Sequence, residues 1–399
     1  MSGLNALYNN AAFALRLHAA AMAVLQEQAS TGSRINRPSD DPAAASRLLG
    51  LSSQQKYLKA YISSIDSAVS THEMASTVLQ QMASALTESI VRLTQIVSGT
   101  YGEGQEGQNA RDRTAAEIND VLEQMVALAN TKYVDQYIFG GNNTADIPYA
   151  VQRSGGEITA VAYCGSSENR SIEAAPGVLA SISLAGENLF SSDSPQTPVF
   201  YGSTGAKAGT GTSTIRGQVW LTVTFDGSSY CLSIDDGATQ IQVPTEGDLS
   251  NIAVSDAAGR VLYVDASNLT SAGVEKVTVP GTEDVFTALI NLRDLLRNSR
   301  GFTDAMLADL IKHSSDSLES VKNSLVEKET LIGARVNFLA SLKDNLENIQ
   351  FNQQQEAAMI QEADIAQIAI DLSRRENLYQ MSLLVSGKLM SMSLLDFLK

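Results

Sequence analysis

The chain has 399 residues, 44% of them hydrophobic, enough for two or three domains and a substantial core. A formal charge of −16 argues against nucleic acid and against an anionic membrane as principal partners. Its two cysteines, Cys164 and Cys231, are too few for a disulfide framework or a zinc site; they read either as two ordinary buried thiols or as one bridge within the central region.

The first thirty residues set Leu4, Tyr8, Leu15, Met22 and Leu25 on a stripe among alanines and asparagines, with one Arg and one Glu. Residues 11–25 look faintly like a signal-peptide core. Arg16 and His18 interrupt it and no basic segment precedes it, so no cleaved signal is expected. No run of eighteen apolar residues exists to cross a bilayer.

Residues 34–46, RINRPSDDPAAAS, hold two adjacent aspartates between two prolines. A pair for acid–base work or a divalent metal would need a His or further acids beside it, and none accompanies it. The reading that fits is a helix cap: Asp41 beside unpaired N–H groups, Pro42 at the first helical position, and Ala43 to Ala45 carrying the helix onward.

A heptad seam follows. Leu51, Leu58, Ile65, His72, Leu79, Leu86 and Leu93 recur every seven residues, interleaved with Ile62, Val69, Ser76, Ala83, Ile90 and Val97. A repeat near 3.5 residues keeps one stripe against a partner helix, here over a rod roughly 70 Å long. Within it, HEMAS (72–76) suggests a helical zinc motif, but Ser76 stands where the second His is needed, so His72 reads as a polar step in the seam.

Gly99, Gly102, Gly104 and Gly107 mark a loop without the Lys-Ser/Thr ending of a phosphate loop. A third helix is predicted from about Asn109, with Ile118, Leu122, Met125 and Ala129 on one face. After YIFGGNN (137–143) the pattern becomes strand-like, with a hairpin turn at Asp226-Gly227 and further strands in GRVLYVDASN and VEKVTVPG. Trp220, Phe225 and Tyr230 fit a sheet core better than a glycan platform.

Helix resumes near Asp284 and stops around Gly301. The second seam is Ile311, Leu318, Leu325, Ile332, Leu339 and Leu346, with Val321, Leu342 and Ile349 as companions and Lys328 and Arg335 on a partly buried edge. QFNQQQE (350–356) breaks the phase before a terminal stripe of Ile365, Ile368, Leu372, Tyr379, Leu383 and Met390. His18 and His313 have no partners at ligand spacing, so no catalytic, cofactor or metal site is expected, and the chain does not read as an enzyme.

STGSRINRPSDDPAAAS (30–46), YIFGGNNT (137–144) and YQMSLLVSGKLMSMSLLDFLK (379–399) together resemble the bacterial flagellin superfamily. The PSDDP form and the ending SLLDFL are similar to its hook-associated protein 3 branch, which joins hook to filament. The resemblance covers roughly residues 1–150 and 284–399; residues 200–280 match nothing specific and carry extra β structure. It implies export through the flagellar apparatus without a cleaved signal, an extracellular place in the flagellum, and no cofactor. The partners it implies are the other axial proteins (hook-associated protein 1 and flagellin), further copies in a ring or tube, and an export chaperone on the C-terminal segment. The implied assembly surface is Leu4, Leu15, Met22 and Leu25 with Ile365, Leu372, Tyr379, Leu383 and Met390. A filament flagellin is the alternative.

The expected fold class is α+β: long antiparallel helical rods from both chain ends, forming a coiled-coil-like bundle, and a β-rich central outer domain. The expected division is 1–36 (assembly helix), 37–144 (rod), 145–283 (outer domain), 284–350 (rod) and 351–399 (assembly helix).

Overall fold

A computed structural model describes residues 2–98 and 104–397, with side chains described for 9–98 and 104–388. The N-terminal part is helical: α1 (Ser2–Thr31), α2 (Pro42–Val97) and α3 (Gln105–Ala129). Two short hairpins and a third one follow: β1 (Lys132–Tyr133) with β2 (Gln136–Tyr137), β3 (Tyr149–Ser154) with β4 (Glu157–Tyr163), and β5 (Ser171–Ala175) with β6 (Val178–Ser181). A short helix, α4 (Gly186–Phe190), precedes the outer strands β7 (Val199–Tyr201), β8 (Lys207–Ala208), β9 (Gly217–Phe225) and β10 (Tyr230–Ser233). The remaining strands are β11 (Ile241–Gln242), β12 (Ile252–Ser255), β13 (Val261–Asp265) and β14 (Gly273–Val279). Helices α5 (Val285–Leu296), α6 (Asp304–Gln361) and α7 (Ile365–Phe397) close the chain.

The chain divides into two compact units: residues 64–340, and the two chain ends up to 63 and from 341. The division falls inside α2 and α6, whereas the sequence reading divided the chain at 36/37 and 350/351.

Two apolar cores lie in the unit of residues 64–340. The larger draws on α2, α3, α5 and α6, with Leu79, Leu86, Leu93, Leu122, Leu289, Leu318 and Leu325 among its buried members. On α2 the seven-residue row from Ile65 to Leu93 is buried as expected. Its companion row is instead Ala68, Ala75, Met82 and Ser89; Val69, Ser76, Ala83 and Ile90 are half-buried. The two rows differ by one step of the helix, about 100°. Small alanines on the buried side leave room for a neighbour to approach, and hydropathy ranking overlooks them. All six members of the second seam, Ile311 through Leu346, are buried.

The second core is a β-sandwich. A five-stranded antiparallel sheet, ordered β11-β10-β9-β14-β7, and a three-stranded one, β12-β13-β8, enclose Leu221, Val223, Leu232, Val254, Leu262, Val264 and Val277. Alternation sends Val219, Leu221 and Val223 inward and turns Trp220 to the opposite face, where it packs against the larger core and stacks on Phe302 at 5.5 Å. This corrects the expectation for the three aromatics: Tyr230 packs on the second core, but Phe225 is exposed at the end of its strand. The turn at Asp226 is a four-residue loop whose Asp226 carboxylate accepts from the Ser228 and Ser229 N–H groups at 2.8 Å, holding its pKa down at about 2. On β14, Lys276 points away from the sandwich and is 1% exposed; its Nζ donates to Ser314 Oγ of α6 at 2.7 Å. Asp284 caps α5, accepting from the Phe286 and Thr287 N–H groups at 3.2 and 2.8 Å.

Both cysteines are free; Cys164 is exposed and Cys231 half-buried, so neither the bridge nor a pair of buried thiols is what forms. Among the described residues no helix is long and apolar enough to cross a membrane.

Candidate assembly surface

The unit built from the chain ends is organised by two helix breaks that lie side by side. Helix α1 stops at Gly32, whose φ of +67° is a left-handed position that glycine occupies without a Cβ penalty. There the Gly32 N–H returns to the Gln28 carbonyl at 2.9 Å. Asp40 Oδ2 then accepts from the Asn36 and Arg37 N–H groups at 3.1 and 2.8 Å, and Asp41 Oδ1 accepts from the Ala44 N–H at 3.0 Å at the start of α2, behind Pro42. One aspartate ties the loop and the other caps the helix.

The C-terminal break is displaced from its expected position. Helix α6 runs without interruption through residues 350–356 and ends at Gln361, because glutamine, glutamate and asparagine change a helix's polarity without breaking its backbone. The break occupies residues 362–364, where Asp364 accepts from the Gln367 N–H at 3.0 Å and starts α7. Ser33 pairs antiparallel with Glu362. The Arg34 N–H donates to the Gln361 carbonyl at 2.7 Å and the Ala363 N–H to the Gly32 carbonyl at 3.1 Å. Arg47 pairs with Glu356 close by, and Gln353 donates to Gln54 at 3.0 Å.

From this stitched joint α1 and α7 run antiparallel and pack along each other, with His18 Nδ1 3.4 Å from Arg375. The half-buried residues of α1 recur at Ala11, Leu15, His18, Met22 and Leu25, and those of α7 at Leu372, Arg375 and Tyr379 after the buried Ile368. Both rows step by three and four, which is a seam between two helices. The expected surface residues therefore separate into three groups. Leu15, Met22, Leu25, Leu372 and Tyr379 are half-buried in these rows; Ile365 and Leu383 are exposed; the side chains of Leu4 and Met390 lie outside the described residues.

A second apolar set faces water. Phe13, Leu17 and Val24 on α1, and Ile370, Met381, Leu384 and Val385 on α7, are exposed, Phe13 at 68% and Leu384 at 72%. Phe13, Leu17, Ala20 and Val24 step by four, three and four, so a second stripe was available in the sequence beside the one chosen. Large apolar side chains grouped on helices already paired along their other face are what a further partner would cover.

Residues 4–144 match the family described as the bacterial flagellin N-terminal helical region. The chain is 28% identical to flagellar hook-associated protein 3 of Escherichia coli over 169 residues, 42% of this chain and 49% of that protein. It is 32% identical to the Salmonella typhimurium protein of the same name over 133 residues, 33% and 40% of the two chains. The chain thus spans about half the length of the curated relatives it matches. Among solved structures, flagellar hook-associated protein 3 of Legionella pneumophila aligns with a TM-score of 0.51 at 16% identity, over 78% of this chain and 98% of that one. FlgL of Xanthomonas campestris aligns with a TM-score of 0.50 at 16% identity, over 76% and 97%. Long helices at both ends around a β-rich middle are the shared fold. Residues 4–144 are thus similar to a flagellin-type helical region. In sequence the chain is a relative of hook-associated protein 3.

Proposed function

We propose that the chain is a structural component of the bacterial flagellum, an adaptor that joins hook to filament by polymerising through its terminal helices. The observation that carries this reading is the apolar set left exposed on the α1–α7 pair, in a unit whose charges balance at eleven acidic and eleven basic residues. A neutral surface with exposed leucines and a phenylalanine gains by association and has no net charge to oppose it. Helices α1 and α7 serve as assembly helices, α2, α3, α5 and α6 as the rod, and residues 145–283 as the outer domain. Leu4, Leu15, Met22, Leu25, Ile365, Leu372, Tyr379, Leu383 and Met390 contribute to the surface, the half-buried ones by holding the pair together. The partners are hook-associated protein 1, flagellin and further copies in a ring or tube, with an export chaperone on the C-terminal segment before the chain leaves the cell.

The test is location. A labelling cysteine at an exposed outer position, with Cys164 and Cys231 removed, is imaged on living cells. A spot where the hook ends supports the adaptor. Label along the whole filament supports the second reading, a flagellin-type subunit, which the family matched by residues 4–144 favours. Absence of flagellar label in an expressing strain would sink both.

A further inference from the structure

Helix α2 changes sign along its length. Residues 42–63 hold Arg47, Lys56 and Lys59 and no acid, whereas residues 64–97 hold Asp66, Glu73 and Glu88 against Arg92. Arg47 is paired with Glu356; Lys56 and Lys59 are exposed and form no ion pair among the described residues. At about 100° per residue, Lys56 stands close to the same angle on the helix as Leu49, seven positions earlier. Tyr57 lies on one flank of this line and Lys59 on the other, with the small residues Ser52, Ser53 and Ala60 between them. Leu49 is 69% and Tyr57 64% exposed.

This face is turned away from the row that α2 buries through Leu51 and Ile65. Serine and alanine let a neighbour approach closely, the leucine and tyrosine supply apolar area, and the two ammonium groups seek carboxylates. The face belongs to the chain-end unit, which has no net charge to oppose an acidic partner.

We infer that the α2 face of Leu49, Lys56, Tyr57 and Lys59 docks on the acidic 64–340 unit of a second copy of this chain. The occupant follows from opposite sign: that unit carries thirty-three acidic against seventeen basic residues, and the face offers cations only. Two 64–340 units would repel one another and two chain-end units have no net attraction, so charge selects contact between unlike units. A contact between unlike surfaces is heterologous and repeats from copy to copy, as a ring or a helical tube requires. The inference rests on the assembly reading above and supplies it with a partner surface.

The test uses the full-length chain with photoreactive p-benzoylphenylalanine at position 57, irradiated on flagella of living cells. A parallel strain carries the same residue at position 13, on the exposed side of α1, and reports assembly separately. The expected product at 57 is a dimer-sized band whose crosslinked peptide is an acid-containing segment of residues 64–340. Its yield per incorporated chain should fall about tenfold when Lys56→Glu and Lys59→Glu are combined, which turns two exposed attractions into repulsions. Lys56→Arg with Lys59→Arg should keep the parental yield, because the charge is retained. Capture of a second copy or another axial protein at 13, without inter-copy capture at 57, overturns the docking face and leaves the assembly reading standing. So does a crosslink from 57 to the chain-end unit of a second copy or to a different protein, or a yield that charge reversal leaves unchanged. No capture from either position overturns both.

Discussion

The two compact units are made of similar long helices, yet they treat water in opposite ways. The unit of residues 64–340 holds both apolar clusters and the whole formal charge of −16. The unit of the chain ends has no net charge, scattered buried residues such as Ile35, Leu51, Leu346 and Ile368, and many large apolar side chains in water. Net charge keeps a folded body soluble and separate, and its absence removes the barrier to association. On the proposed assembly reading, the difference teaches that stability and association fall to different parts of one chain. A helix pair stabilised along one seam is enough to persist as a pair, and its other face remains free for partners.

The largest expected effect would break the comparison outright. A charge at Leu384 or Leu383 must be desolvated when a partner covers that face, so Leu384→Asp or Leu383→Asp should abolish incorporation into flagella. Unfolding of the 64–340 unit should change by less than about 0.5 kcal/mol, as for surface substitutions away from a core. Denaturant unfolding of the purified variant beside flagellar fractionation checks both halves. Loss of rod stability would mean that the units are not separable. The converse change comes next. Leu79 is fully buried in the larger core, and Leu79→Ala should cost about 2–5 kcal/mol in lost burial and a cavity. Calorimetry should show the loss in the main transition.

Much of this organisation was legible in the sequence, and the errors share a cause. The seven-residue rows, the Asp41 cap and the hairpin at Asp226 depend on local spacing and chemistry, which sequence carries directly. The companion row on α2 was misplaced because Ala68 and Ala75 are buried for their smallness, whereas Val69 and Ile90 attract attention for their hydropathy. The polar run of residues 350–356 looks like a boundary in sequence, whereas the break before α7 is set by Asp364 and by backbone pairing to residues 32–34, more than 300 positions away. The exposed set on α1 and α7 is hidden in the sequence for a related reason. An apolar stripe looks the same in sequence whether it is covered by its own chain or by another.

Lys276 sharpens the comparison from inside the acidic unit. Desolvation lowers its pKa from 10.5 to about 8, although the charge of Glu283 opposes the shift. Between pH 8 and 10.5 the unfolded chain holds the proton and the folded one has released it, so raising the pH through this window favours the folded state. The linkage amounts to about 3 kcal/mol at full extent. The stability of the parent chain relative to Lys276→Met should therefore rise by up to that amount between pH 8 and 10.5. Denaturant midpoints of the two proteins across the window provide the measurement. A pH-independent difference would mean that water reaches Nζ and that the sheet does not seal against α6.

The smallest effect concerns the cap. Asp41→Ala removes the acceptor of the Ala44 N–H, which should cost about 1 kcal/mol locally. Asp41→Asn should restore most of it, since an amide oxygen also accepts. What Asn does not restore is the charge, which faces Arg34 at 3.5 Å in an exposed pair worth about 0–1 kcal/mol and weakened by salt. Hydrogen exchange at the Ala44 amide resolves the two contributions: fast in Asp41→Ala, near parental in Asp41→Asn, with the remaining difference vanishing at high salt. Because a cap acts within the first turn, amides around Leu79 should keep their parental protection in both variants, although α2 runs through both units. Deprotection reaching Leu79 would mean that α2 frays as one body, and the division between an associating unit and a self-sufficient one would then fail at the helix they share.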